Sequence, residues 1–179
     1  MNKVATRADI AALYELHAAE LHGYLYRRAG QGGADLLGEV FVVALQRMAD
    51  LPEQQLRRAW LFGTARRLLL SQRRTVSRRT QAEEERARLL DPHPGTPAVT
   101  RTDRDRAVHE ALDSLRETDR ELIRLTEWEQ LQVAEAAVVL GMRPGTARMR
   151  LLRARRALAE HPALRELASA EPTTAAADR

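Results

Sequence analysis

Six arginines and no acid fall between Leu140 and Leu158, in the run LGMRPGTARMRLLRARRAL. Guanidinium groups at that density suit anionic oxygens and guanine edges, and the polyanion they fit is DNA. Gly141 supplies a turn, and Pro144 suits a first helical position because its missing N–H has no partner to lose there. A Gly turn followed by an Arg-rich amphipathic helix is what the second helix of a helix-turn-helix needs to enter the major groove. Advancing about 100 degrees per residue from Ala147 brings Leu151, Ala154 and Leu158 within about 40 degrees of it, a narrow core face. Gly145, Met149, Leu152, Arg153 and Arg156 fall opposite, with Arg148 on the flank. Met149 and Leu152 are placed to meet thymine methyl groups, and Arg148 and Arg153 to read guanine edges or phosphates. Arg150, Arg155 and Arg156 read as phosphate clamps that carry no sequence information. Arg143 and Thr146, at the turn, complete the candidate DNA-binding set.

A second basic island runs from Gln54 to Thr80, with eight arginines and no acid. The segments on either side of it are net acidic, so a formal charge of only +4 conceals two separate cationic surfaces. Two such islands point to two contacts on one polyanion. Other chemistries find little support. The chain has no cysteine, which excludes disulfides, thiolate nucleophiles and Cys-based zinc sites. Of the five histidines, His17 and His22 are nearest in spacing, and i, i+5 is poor geometry for a shared metal. No paired carboxylates, nucleophile–base pair or phosphate loop stands out, so the expectation is a protein that is not an enzyme and takes neither cofactor nor metal. No apolar run is long enough for a signal peptide or a membrane span, which predicts a soluble, cytoplasmic protein.

The elements that must position these residues are helices. In 179 residues, 44% are hydrophobic but only 4% aromatic, a core of Leu, Ala and Val. Apolar residues recur at helical spacing and nowhere alternate convincingly. The spacing predicts a first helix over about Ala8–Arg28, carrying Ile10, Leu13, Leu16, Leu21 and Leu25 and ended by Gly30, Gly32 and Gly33. A second follows over Ala34–Met48, and a long third runs from Pro52 to about Arg79. Pro92, Pro94, Gly95 and Pro97 then preclude a regular element. Four more helices are predicted over Asp103–Leu115, Glu117–Trp128, Gln132–Leu140 and Pro144–Glu160, with a short one after Pro162 and a disordered tail. The fold class is therefore all-α: two small helical domains, 8–80 and 103–163, joined by a flexible linker at 81–102 and followed by a tail at 164–179. The second domain contains the helix-turn-helix.

With these residues in place, the chain resembles the extracytoplasmic-function group of the sigma-70 family of RNA polymerase sigma factors, over nearly its whole length, from about Leu13 to Leu158. In EQLQVAEAAVVLGMRPGTARMRLLRARRAL, from Glu129, the matching positions are Ala134-Glu135, Leu140-Gly141, Gly145-Thr146 and Arg153-Ala154-Arg155. In ADLLGEVFVVA, Ala34–Ala44, they are Asp35, Leu36, Glu39, Val40 and Phe41. In WLFGTARRLLLSQRRTVSRR, Trp60–Arg79, they are Trp60-Leu61, Ala65-Arg66 and the terminal Arg cluster.

The resemblance implies a promoter-specificity factor. Its first domain, resembling sigma region 2, would dock on the clamp helices of the largest subunit of core RNA polymerase through Asp35, Leu36, Glu39 and Val40. Phe41 reads as core. The same domain would bind and melt the −10 promoter element through Arg57, Arg58, Trp60, Arg66, Arg67, Arg73 and Arg74, with Arg78 and Arg79 on phosphates and the 51–58 loop capturing an unstacked base. The second domain, resembling region 4, would read the −35 element and meet the polymerase flap, and an anti-sigma factor is a further implied partner. Gly38, Arg67, Ser71 and Met149 depart from the family pattern; Gly38 costs helix propensity of about 1 kcal/mol relative to Ala. Two other readings compete. One is an operator-binding helix-turn-helix regulator that never binds polymerase, and the other is a helical adaptor whose arginines are dispensable.

Overall fold

A computed structural model describes residues 5–87 and 103–170, with side chains at 78–87 and 170 outside the description. The described residues form eight α-helices and one short 3-10 turn, with no strand among them. The helices are α1 (Arg7–Ala34), α2 (Leu36–Gln46), α3 (Gln54–Ala87), α4 (Asp103–Asp113), α5 (Glu117–Glu127), α6 (Val133–Leu140), α7 (Pro144–Glu160) and α8 (Pro162–Ala170). The 3-10 turn, Met48–Asp50, joins α2 to the approach to α3.

Local chemistry sets the ends. Thr6 and Asp9 form a capping box at the start of α1: the Thr6 hydroxyl accepts from the Asp9 N–H, and the Asp9 carboxylate accepts from the Thr6 N–H at 2.7 Å. The three glycines predicted to end α1 instead bend it. Ala29 and Gly30 leave helical geometry, and the chain then makes another turn to Ala34. That turn folds back so tightly that a Cβ on Gly33 would lie 2.4 Å from the Leu25 carbonyl oxygen. α7 matches its sequence reading to the residue, with Pro144 at its first turn. α3 outruns its predicted end near Arg79 and continues to Ala87 through Glu83-Glu84-Glu85. The remaining linker, 88–102, and the tail from 171 lie outside the described residues.

The first three helices enclose Leu21, Tyr24 and Leu25 of α1, Val40 and Ala44 of α2, and Leu61, Phe62 and Ala65 of α3, all essentially buried. The Tyr24 and Phe62 rings meet edge-on at 5.2 Å. Leu16 was expected on the core stripe but is 73% exposed, and Tyr24 takes the interior place. In the second half, Leu122 and Leu125 of α5, Ala136 and Ala137 of α6, and Ala147, Leu151 and Ala154 of α7 form the core. Burial of each such Leu or Phe stabilises the fold by roughly 1.5–3 kcal/mol.

The two halves do not stand apart. α6 lies against α3, and buried side chains of both belong to one continuous cluster. Gly63 marks the close approach: a Cβ there would lie 3.8 Å from the Val139 Cα.

The crowding at Gly33 yields a sharp contrast with its neighbour. Gly33→Ala forces a backbone shift and should cost about 1–3 kcal/mol in chemical denaturation. Gly32→Ala, whose added carbon meets only the Gln72 amide at 3.7 Å, should leave the midpoint within about 0.5 kcal/mol of the parent.

Candidate nucleic-acid interface

α7 is positioned by the turn before it. Gln132 and Glu135 cap α6, with the Gln132 N–H donating to Glu135 Oε2 at 2.8 Å. Gly141 closes α6 in the left-handed region, φ 65°, and the Met142 N–H returns to the Ala137 carbonyl at 2.9 Å. The chain thus leaves α6 at a fixed angle and re-enters a helix at Pro144. Ala147, Leu151 and Ala154 are buried. Arg143, Thr146, Arg148, Met149, Leu152, Arg153 and Arg156 are all exposed, Met149 by 56% and Leu152 by 62%. Every candidate reading residue on this helix therefore lies on one uncovered surface with the turn.

The predicted phosphate clamps are placed differently. Arg150 donates from Nε to Asp119 Oδ1 at 2.6 Å, and Arg155 donates from Nε and Nη2 to Glu127 Oε1 at 3.0 and 2.6 Å. Both link α7 to α5, the Arg150 pair partly buried and the Arg155 pair exposed, so each charge is matched by an acid of the chain. The hydrogen bond to Asp119 raises the Arg150 pKa above its usual value. Arg156 pairs with Glu160 one turn on, at 2.9 Å, where both side chains are largely in solvent. Such a pair contributes little and yields readily to a phosphate.

The arginines of α3 divide into two rows. By helical angle Arg58, Arg66 and Arg73 fall within about 80 degrees of one another, while Arg67 and Arg74 lie roughly opposite Arg58. Arg67 and Arg74 are exposed, and Arg67 donates to the Thr64 hydroxyl at 2.9 Å. Arg58 and Arg66 are half-buried toward the second half, and Arg73, on the same side, is exposed. Arg58 donates to Glu20 Oε2 at 2.7 Å, to the Glu129 carbonyl at 2.9 Å and to Glu135 Oε2 at 3.3 Å. Arg66 and Arg73 line the cleft between α1, α3 and α5, and Arg73 donates to the Arg28 carbonyl at 3.0 Å. Arg57 is tied to the Pro52 carbonyl at 3.2 Å, and Trp60 packs half-buried against the core. Arg58 is thus a bridge between the halves here and not an open phosphate ligand. The side chains of Arg78 and Arg79 lie outside the described ones.

On α2 the expected docking set also divides. Asp35 and Glu39 are exposed. Leu36 and Val40 correct the expectation: they are 7% and 0% exposed, on the same inward face as Ala44, because i, i+4 and i+8 share one helix side. The apolar residues that α2 does expose are Val42 and Leu45, at 50% and 43%. Sequence reasoning did not single out Val42 or Leu45 for docking, although Val42 sits three residues beyond Glu39 on the outer face.

Two acids missed by sequence reasoning join the halves. Glu129 has a side chain only 1% exposed, and its carboxylate takes Arg27 on one oxygen and Arg28 Nη1, at 3.0 Å, on the other. Glu121 accepts from the Tyr24 hydroxyl at 3.1 Å and from Arg28 Nε at 3.3 Å. The Arg28 guanidinium also covers the Tyr24 ring at 4.3 Å. Burial and then the Glu121 charge raise the Tyr24 pKa far above its usual value, so its hydroxyl stays a donor. Burial pushes Glu20 up, but hydrogen bonds from Arg58 and His17 outweigh it and hold Glu20 below the usual carboxylate range.

Comparison with known proteins adds kinship to this geometry. The family described as sigma-70, region 4 matches residues 105–158. The ECF RNA polymerase sigma factor SigL of Mycobacterium tuberculosis is 30% identical over 158 residues, 86% of this chain and 89% of SigL. Sigma factor RpoE from Bartonella quintana, solved with the anti-sigma factor NepR, superposes with a TM-score of 0.63 at 23% identity, covering 92% of this chain and 99% of RpoE. CnrH, solved with the cytosolic domain of CnrY, superposes with a TM-score of 0.58 at 22% identity, covering 93% and 92%. At those identities the two structures speak to fold alone.

Removing Glu129 leaves the buried Arg28 without half its counter-charge, a loss of about 3–5 kcal/mol if the halves stay packed. Separation returns Arg28 to water, so Glu129→Ala should open the chain before it unfolds it. Small-angle scattering should show a larger radius of gyration at an unchanged helical circular dichroism signal.

Proposed function

This chain belongs to the ECF RNA polymerase sigma factors, transcription initiation factors that direct RNA polymerase and are not enzymes; from that premise we propose how its two surfaces divide promoter recognition. The second half, from Asp103, places α7 in the major groove of the −35 element. Arg148 and Arg153 read base edges, Met149 and Leu152 contact apolar groups, and Arg143, Thr146 and Arg156 hold the backbone. The observation that carries this is the uncovered outer face of α7, on which all seven side chains are exposed.

The first half docks on core polymerase through the outer face of α2, where Asp35 and Glu39 lie beside Val42 and Leu45. Acids beside apolar side chains suit a basic helical partner such as the clamp helices of the largest subunit. The second half meets the polymerase flap in the same reading, and an anti-sigma factor is a further partner. The −10 element falls to α3. Arg67, Arg73 and Arg74 are exposed and open to it directly, whereas the half-buried Arg58 and Arg66 reach it only once the halves part. Release of Arg58 from Glu129 and Glu135 of the second half is then part of promoter engagement.

Run-off transcription with core RNA polymerase on a promoter library tests the assignment. The parent chain should start transcripts from a defined promoter class. Arg148→Ala with Arg153→Ala should lower initiation more than tenfold, since each good base contact carries about 1–3 kcal/mol, while leaving binding to polymerase intact. Tight binding to DNA without any binding to polymerase would instead favour an operator-binding regulator.

A further inference from the structure

The cleft between the halves has a volume of about 310 Å³ and is walled by α1, α3 and α5. Its charge is unbalanced: five arginines line it against Glu117 and Glu121. The Glu121 carboxylate is already taken by Tyr24 and Arg28, and Arg120 is matched by Asp113 at 2.7 Å. Among the described residues, Arg66, Arg73 and Arg124 form no ion pair. Arg124 Nε is buried and has no hydrogen-bond partner. Burial, and then the neighbouring charge of Arg28, lowers the Arg124 pKa from its usual value against the opposing charges of Glu121 and Asp113. Tyr24, Leu69 and Leu70 give the same cleft an apolar wall.

We propose that this cleft binds a small phosphate-bearing anion, of the size of pyrophosphate or the diphosphate of a nucleotide, between Arg66 and Arg73 of one half and Arg124 of the other. Guanidinium groups bind phosphate oxygens in pairs, and three of them converging from two helices on a partly enclosed volume favour a multiply charged ligand. A DNA duplex is too wide to enter a cleft closed on three sides by helices. Because the ligand contacts both halves, it stabilises the packed arrangement over the parted one. At ten times its Kd it multiplies the packed-to-parted ratio about elevenfold. The binding site stands by itself; only its effect on transcription rests on the promoter-recognition reading above.

Isothermal titration of the full chain with inorganic pyrophosphate and, separately, with adenosine diphosphate, at ionic strength matched with sodium chloride, tests the site. Saturable one-to-one binding is expected. Arg124→Gln and Arg66→Gln should each weaken it at least tenfold, and Arg47→Gln, an exposed arginine elsewhere, should not. The two cleft variants lie in different halves, so should one fail the circular dichroism check for folding, the other still decides. Tighter binding of the nucleotide supports the site and assigns its base to the apolar wall, and equal affinities support it with phosphate alone as ligand. Absence of saturable binding, or an equal loss in Arg47→Gln, overturns the proposal. The assay contains neither polymerase nor promoter, so its failure leaves the transcription reading standing, and failure of run-off transcription leaves this site standing.

Discussion

The arrangement of this chain depends on one buried ionic contact, Arg28 between Glu121 and Glu129. Arg28 is on the first half and both acids are on the second, and the Arg28 and Glu129 side chains are 4% and 1% exposed. Each charge gives up its water when the halves pack, and that desolvation offsets most of the Coulombic attraction. The contact therefore specifies one mutual orientation much more strongly than it adds net stability. When the halves part, Arg28, Glu121 and Glu129 all regain water together, which keeps separation within reach of a partner's binding energy. Small residues complete the fit, since Gly63 lets α3 approach α6 closely.

That orientation treats the two DNA-facing surfaces unequally. The outer face of α7 remains in solvent, and Arg150 and Arg155 serve to hold the helix against α5. On α3 Arg58 and Arg66 are turned toward the second half, while Arg67 and Arg74 face away. The same guanidinium chemistry thus does two jobs. It closes the chain through carboxylates in one state, and in the proposed promoter complex it meets phosphates.

Elements set by local chemistry were legible in the sequence. Pro144 and Gly141 placed α7 to the residue, and the periodicity of Ala147, Leu151 and Ala154 identified its buried side. The bend at Gly30 was read as a helix end because glycines serve both purposes, and only the close packing of Gly33 on Leu25 decides between them. Leu36 and Val40 were assigned to an interface by resemblance, which transfers positions but not burial. Tyr24 escaped the core list because its hydroxyl requires a buried acceptor, and that acceptor, Glu121, lies in the other half. In any local window Glu121 looks like a solvated helix charge and Glu129 like a solvated loop charge. Their role arises from residues about a hundred positions away, which no periodicity encodes.

The central claim is that the halves are packed in the free chain and parted in the initiation complex. The absence of cysteine makes a double-label experiment direct: Leu16→Cys on α1 and Arg165→Cys on α8 place two probes at exposed positions of opposite halves. Pulsed electron spin resonance on the doubly labelled chain should give a single short distance in the free protein and a longer one with core RNA polymerase and promoter DNA. An unchanged distance distribution in an actively transcribing complex would contradict the account.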